Sequence, residues 1–206
     1  MTEMLKQSIQ FIQSLHGWCS KEKAEALAEI VVQHKPKVCV ELGVFGGRSL
    51  IVIGLALREV GECGMVWGID PWTVDAAIEG NVGEANADWW KSIDIQDIRN
   101  KAMSAVTSQN LWANVSVIVA KSENVASLFN QIDFLHVDSN HSEEKSTLDV
   151  HLWSNRVKSG GHILFDDADW SSTQKALSEL KEHYADVIRD IVTPETGSIC
   201  RVFRKR

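Results

Sequence analysis

Five carboxylates in this chain close or follow short apolar runs: Glu41 after Val38–Val40, Asp70 after Met65–Ile69, Asp138 after Ile132–Val137, and Asp166 with Asp167 after His162–Phe165. In an open sheet of parallel strands, ligands lie outside the carboxyl ends of the strands, so these acids are expected on one edge. Any one of them alone reads equally well as a turn or cap residue. Together they repel. Two carboxylates about 4 Å apart cost on the order of 4 kcal/mol at an effective dielectric near 20, so the cluster calls for a cation, a proton or a hydrogen-bonded ligand.

The elements that must carry these acids follow from period and punctuation. The stretch VCVELGVFGGRSL, residues 38–50, reads as a buried strand, a glycine turn and the start of an apolar helix. Helical spacing at Met4, Leu5, Ile9 and Ile12, and again at Ala24, Leu27, Ala28 and Val31, predicts two helices before that strand. MVWGI (65–69), VSVIV (115–119), IDFLHV (132–137) and HILF (162–165) read as further strands. Helical segments over 95–106, 125–129, 143–157 and 172–184 intervene. The runs 187–192 and 199–203 flank the turn TPETGS and read as a terminal hairpin. The segment 74–94, with Gly80, Gly83 and the pair Trp89–Trp90, has no clean period and reads as a lid. Regular strand–helix alternation predicts an α/β, doubly wound, mostly parallel sheet with helices on both faces.

Composition narrows the function class. At 206 residues, 44% hydrophobic and 24% charged, the chain suits one globular domain over residues 1–206. The formal charge of -7 argues against nucleic acid as the partner, and the basic group at Arg201 and Arg204–Arg206 reads as a solubilising tail. No run has the length of a membrane span and the N-terminus has no signal-peptide layout, so a cytoplasmic location and a small-molecule substrate are expected. Whether the chain forms a homo-oligomer stays open. The four cysteines show no metal-ligand spacing and read as reduced thiols.

The glycines discriminate among ligands. Asp70 is placed to accept from ribose hydroxyls, but Gly43-x-x-Gly46-Gly47 lacks the G-x-G-x-x-G that brings amides against a pyrophosphate. A riboside without pyrophosphate is expected, and S-adenosylmethionine is such a molecule, its amino-acid end over the Glu41–Gly47 turn and its adenine beyond Asp70. Trp72 flanks the adenine or ribose, or simply covers the core. Ser122 meets the adenine edge, or caps the helix that follows.

ELGVFGGRS, GIDPW, VDSNH and GGHILFDD, in this order, resemble a class I S-adenosylmethionine-dependent methyltransferase. More narrowly, they are similar to the metal-dependent small-molecule O-methyltransferases of the macrolide-sugar and aminocoumarin-sugar type, and more loosely to the catechol type. The resemblance implies a Rossmann-like seven-stranded sheet with the terminal hairpin as its antiparallel part. It implies cofactor contacts from Glu41, Gly43, Phe45, Gly46, Ser49, Asp70, Trp72 and Ser122. It further implies a divalent metal, commonly magnesium, on Asp138, Asp166 and Asp167. His141 matches the family's general base, with Asp138 as the next candidate. One departure is Ser139, where the family usually has glycine after the metal-binding Asp. Two other readings keep this fold: hydroxylase-like chemistry on the same metal site, or an adenosine-ligand binding domain without catalysis. His136, His151, His162 and His183 read as structural.

Overall fold

The computed structural model describes residues 2–61, 63–194 and 196–206, together with the backbone but not the side chain of Met4. Its sheet has seven strands in the order β3-β2-β1-β4-β5-β7-β6. These are β1 (Val38–Leu42), β2 (Met65–Ile69), β3 (Val115–Ile118), β4 (Ile132–Val137), β5 (Val157–Phe165), β6 (Ala185–Val192) and β7 (Ile199–Lys205). The first five are parallel, and β7 runs antiparallel to both β5 and β6. The expected doubly wound sheet and terminal hairpin are both present. The strand order reverses between β1 and β4, which opens a crevice at their carboxyl ends. Register brings the strand ends level: Leu42 pairs with Ile69 on one side and Val137 on the other, and Val137 pairs with Phe165. The residues that follow, Asp70, Asp138 and Asp166, therefore leave the sheet along one edge.

The helices before β1 are α1 (Glu3–Ile12) and α2 (Lys21–His34). Thr2 and Ser20 cap them, each side-chain oxygen accepting from a backbone N–H of the first turn. The helix α3 (Arg48–Val60) follows the glycine turn, and its segment Ser49–Leu57 is buried throughout because it lies between the sheet and α2. The segment expected to lack regular structure folds into α4 (Val74–Ala77) and α5 (Glu84–Ser92), and α6 (Ile95–Ser108) follows directly. These two helices are short and bury none of their residues, so neither leaves a periodic apolar stripe in the sequence. Beyond β3 come α7 (Ser122–Val125), α8 (Glu143–Trp153) and α9 (Gln174–Glu179).

Strand alternation divides the core between the two faces of the sheet. Cys39 and Phe134 pack with α1, α2, α3 and α6, whereas Val40, Leu42 and Leu135 pack with α7, α8 and α9. The hairpin turn closes through the Thr193 N–H donating to Ser198 O at 2.9 Å, and Glu195 within it lies outside the described residues. Among the described residues, no helix is long and apolar enough to cross a membrane.

Candidate active site

The turn after β1 is built by the acid after β2. Asp70 Oδ2 accepts from the backbone N–H groups of Val44 and Phe45, both at 2.9 Å, and Oδ1 accepts from Trp72 N–H at 2.6 Å. Trp72 is fully buried, and its indole N–H donates to Phe45 O at 2.9 Å. Phe45 and Trp72 both hold positive φ, 48° and 45°, conformations that non-glycine residues keep only when their surroundings over-determine them. Here the two residues fasten each other. Asp70 thus spends acceptor capacity on shaping the turn, and burial raises its pKa although the Phe45, Trp72 and Val44 N–H groups pull it down. Of the two readings of Trp72, against the ligand or covering the core, the second agrees with its place: it is fully buried beneath the turn, and Gln96 donates to its backbone O at 2.7 Å.

Two glycines in this turn answer to space. A Cβ on Gly43 would fall 2.0 Å from Asp138 O, and one on Gly46 would fall 2.0 Å from His16 O. The β1 turn therefore touches the β4 turn and the α1–α2 connection directly.

Above the turn is a cavity of about 630 Å³, a size usual for a cofactor and small-substrate site. Gly43, Phe45, Gly46, Ser49, Asp70 and Ser122 line it, as do Asp138, His141, Asp166 and Asp167. Glu41, expected on this wall, is fully buried beneath it. It accepts from the Ser49 hydroxyl, and its Oε2 has no hydrogen-bond partner among the described residues. An aromatic group closes the mouth: Trp18 stacks on Phe45 with ring centroids 5.3 Å apart, and Trp90 meets Phe45 edge-on at 5.3 Å. The side-chain amide of Asn140, from the VDSNH motif, donates to the carbonyls of Ala76, Ala77 and Glu79, which ties α4 to the β4 turn.

The acid cluster differs from the expected metal triad. Among the described residues, the set whose ligand atoms lie within 4.8 Å of one another is His136, Asp138 and Asp166. Asp167 turns away, its Oδ1 accepting from the Ser198 hydroxyl at 3.1 Å and its Oδ2 lying 3.5 Å from His141 Nε2. Its backbone there is left-handed, with φ 47°. His136 is fully buried and not merely structural in position: Nδ1 lies 3.3 Å from Glu41 and Nε2 3.7 Å from Asp138, with neither nitrogen making a hydrogen bond among the described residues. Burial lowers its pKa, with the Lys23 charge adding to the effect.

Sequence reasoning missed the residue at the centre of this cluster. Lys23 of α2 is 2% exposed. Its ammonium donates to Asp138 Oδ2 at 2.7 Å and to Asp166 Oδ2. Burial opposes its charge, but the two carboxylates outweigh this and raise its pKa well above the ordinary lysine value. One ammonium balances one carboxylate. Burial works against ionisation of Asp166, yet the Lys23 charge holds it below the usual range; burial and the neighbouring Asp166 charge push Asp138 well above it. Asp138 and Asp166 with His136 are the candidate metal-holding set among the described residues, and the Lys23 ammonium lies between the two carboxylates. The cysteines beside it are thiols, burial pushing Cys19 up to about 12.

Asp149 of α8 was also missed. It is 2% exposed and accepts from the Ser122 hydroxyl at 2.5 Å and from the Ser139 hydroxyl. Burial pushes its pKa up to about 6, against the two hydroxyl donors. Ser122 is therefore committed to Asp149 rather than to a helix cap. Both missed residues left a signal. Lys23 falls at helical spacing with Leu27, Ile30 and Val31, and Asp149 with Ser146, Val150 and Trp153, so each is a charge on the buried stripe of its helix.

A family model described as a methyltransferase domain matches residues 40–168, from the β1 strand to the acids after β5. The chain belongs to this family. It is a class I S-adenosylmethionine-dependent methyltransferase in fold and in motif order. Similar solved structures include a cofactor-bound protein from MTB, at 14% identity and a TM-score of 0.69, covering 98% of this chain and 88% of that one. An O-methyltransferase from Bacillus cereus in complex with SAH matches at 13% identity and a TM-score of 0.67, covering 100% and 92%. The O-methyltransferase TomG from Streptomyces achromogenes, involved in tomaymycin synthesis and solved with SAM, matches at 14% identity and 0.66, covering 100% and 90%. The sulfonium of the cofactor is a cation, and it fits a cavity walled by Asp70, Asp138, Asp149, Asp166 and Asp167, of which Asp138 and Asp166 already share the Lys23 ammonium.

Proposed function

We propose that this methyltransferase methylates a hydroxyl group of a small molecule. S-adenosylmethionine, when bound, supplies an electrophilic methyl group on sulfur. The chain supplies the rest. The observation that carries the reading is the place of His141 on the cavity wall, its Nε2 lying 3.7 Å from Asp138 Oδ1 and 3.5 Å from Asp167 Oδ2. That nitrogen is buried and has no hydrogen-bond partner among the described residues, so it takes the acceptor's proton once the acceptor's oxygen is brought against it. Asp167, the nearer acid, then stabilises the imidazolium that forms. Trp170 holds the ring from the side, with centroids 5.3 Å apart.

The Gly43–Gly47 turn and Asp70 are assigned to the amino-acid and ribose parts of the cofactor, and Ser122 with Asp149 to the adenine side. The acceptor shares the cavity and meets Trp89, Trp90 and Trp170, an apolar wall that expels water from around the reacting oxygen. The Bacillus and Streptomyces O-methyltransferases, which share this fold, support oxygen as the atom methylated.

Two measurements test the proposal. Calorimetry with S-adenosylhomocysteine is expected to show one site per chain, and a panel of hydroxylated small molecules is expected to include a methyl acceptor. In that assay, His141→Ala is expected to lower turnover by about 10²-fold or more, the usual range for a general base. A loss below tenfold would give the proton to another group.

A further inference from the structure

We infer that the Lys23 ammonium is the resident cation of this acid cluster, holding the place that a divalent metal would otherwise take between Asp138 and Asp166. The inference goes beyond the choice of acceptor, and it holds whether or not oxygen is the atom methylated.

Three observations converge. Lys23 Nζ bonds one oxygen of each carboxylate, Asp138 Oδ2 at 2.7 Å and Asp166 Oδ2. These two carboxylates, with His136, form the metal-capable set among the described residues. A magnesium ion demands oxygens at about 2.0–2.1 Å in near-octahedral array, so an ion bound to both oxygens would press against the ammonium. Secondly, the lysine is built into place. Lys23 N–H donates to Ser20 Oγ at 3.2 Å, and the Thr193 hydroxyl donates to the same Ser20 oxygen at 3.1 Å, which anchors the start of α2 to the β6–β7 turn beside the cluster. Its side chain is 3% exposed, so the ammonium is withdrawn from bulk solvent and faces the acid cluster at the cavity wall. Thirdly, the set has lost a member, since Asp167 is turned towards His141 and Ser198.

Lys23 is thus a positioning residue. It fixes the two carboxylates at the ends of β4 and β5, and leaves one ammonium proton for an acceptor oxygen, because an ammonium has three and Lys23 is on the cavity wall.

The test uses Mn²⁺ alone as probe, read by electron paramagnetic resonance, on wild type, Lys23→Ala and Lys23→Ala/Asp166→Asn. No stoichiometric Mn²⁺ is expected on wild type, one per chain on Lys23→Ala, and none on the double variant. One Mn²⁺ per wild-type chain that Asp166→Asn removes would overturn the inference, and so would a folded Lys23→Ala that takes no metal. Where Lys23→Ala does not fold, acetic anhydride labelling of wild-type protein decides. Lys23 unlabelled with and without Mg²⁺ supports the inference, and labelling that appears when Mg²⁺ is added overturns it. S-adenosylhomocysteine binding, measured on the same samples, reports separately on the cofactor assignment.

Discussion

Asp149→Asn probes a buried charge whose energetic effect can be worked out from its surroundings. In the folded chain the Asp149 pKa is about 6 against an ordinary 3.8, with burial as the first cause, the Ser122 and Ser139 hydroxyls opposing it, and the charges of Glu123 and Lys145 acting in opposite senses. A folded pKa above the unfolded one means that the native state holds its proton more tightly. The associated stability is fully present below about pH 3.8 and is lost as pH rises through about 6. A difference of about 2 in pKa corresponds to about 3 kcal/mol at 1.36 kcal/mol per pKa unit. Most of that, about 2–3 kcal/mol, is expected to disappear between pH 4 and 8. Asn keeps the shape, one acceptor oxygen and no charge, so the variant lacks this dependence. Urea unfolding of both proteins across this range isolates the effect, because every other titrating group contributes to both. The stability difference, Asn variant minus wild type, is expected to shift in favour of Asn by about 2–3 kcal/mol from pH 4 to 8. A pH-independent difference would show that Asp149 has the same pKa folded and unfolded and would refute the argument.

Gly43→Ala is expected to lose about 2–5 kcal/mol by urea unfolding, combining an overpacking cost of about 1–3 with a left-handed backbone cost of about 1–2, since its Cβ would lie 2.0 Å from Asp138 O at φ +81°. Gly61→Ala, at φ +71° in the left-handed region with nothing within 4 Å, pays only the backbone cost; equal losses at both positions would remove the packing argument. Asp70→Ala leaves the N–H groups of Val44, Phe45 and Trp72 without their acceptor and is expected to cost about 3 kcal/mol or more at about 1–3 per unsatisfied buried donor. Unfolding midpoints unchanged by that substitution would mean that the turn holds its shape without the acid.

The sequence by itself determined the order of strands and helices, the family motifs and the edge on which the acids gather. These depend on local period and on the parallel βαβ rule, and both survive without knowledge of contacts. The lid helices escaped because α4 and α5 bury none of their residues and so have no apolar face to print a pattern. What only the tertiary structure decided is which side chains meet. GIDPW was legible as a ligand-binding motif, yet its Trp72 is spent beneath the turn, and Asp70 shapes that turn as well as lining the cavity. Asp138, Asp166 and Asp167 read as one set, but Asp167 is engaged with Ser198 and His141 while His136 joins the other two. Lys23, more than 100 residues away from either carboxylate in sequence, enters between them. A charge on the apolar stripe of a helix is visible in the chain, but its partner is not, because the compensation that makes its burial affordable comes from strands brought alongside only by folding.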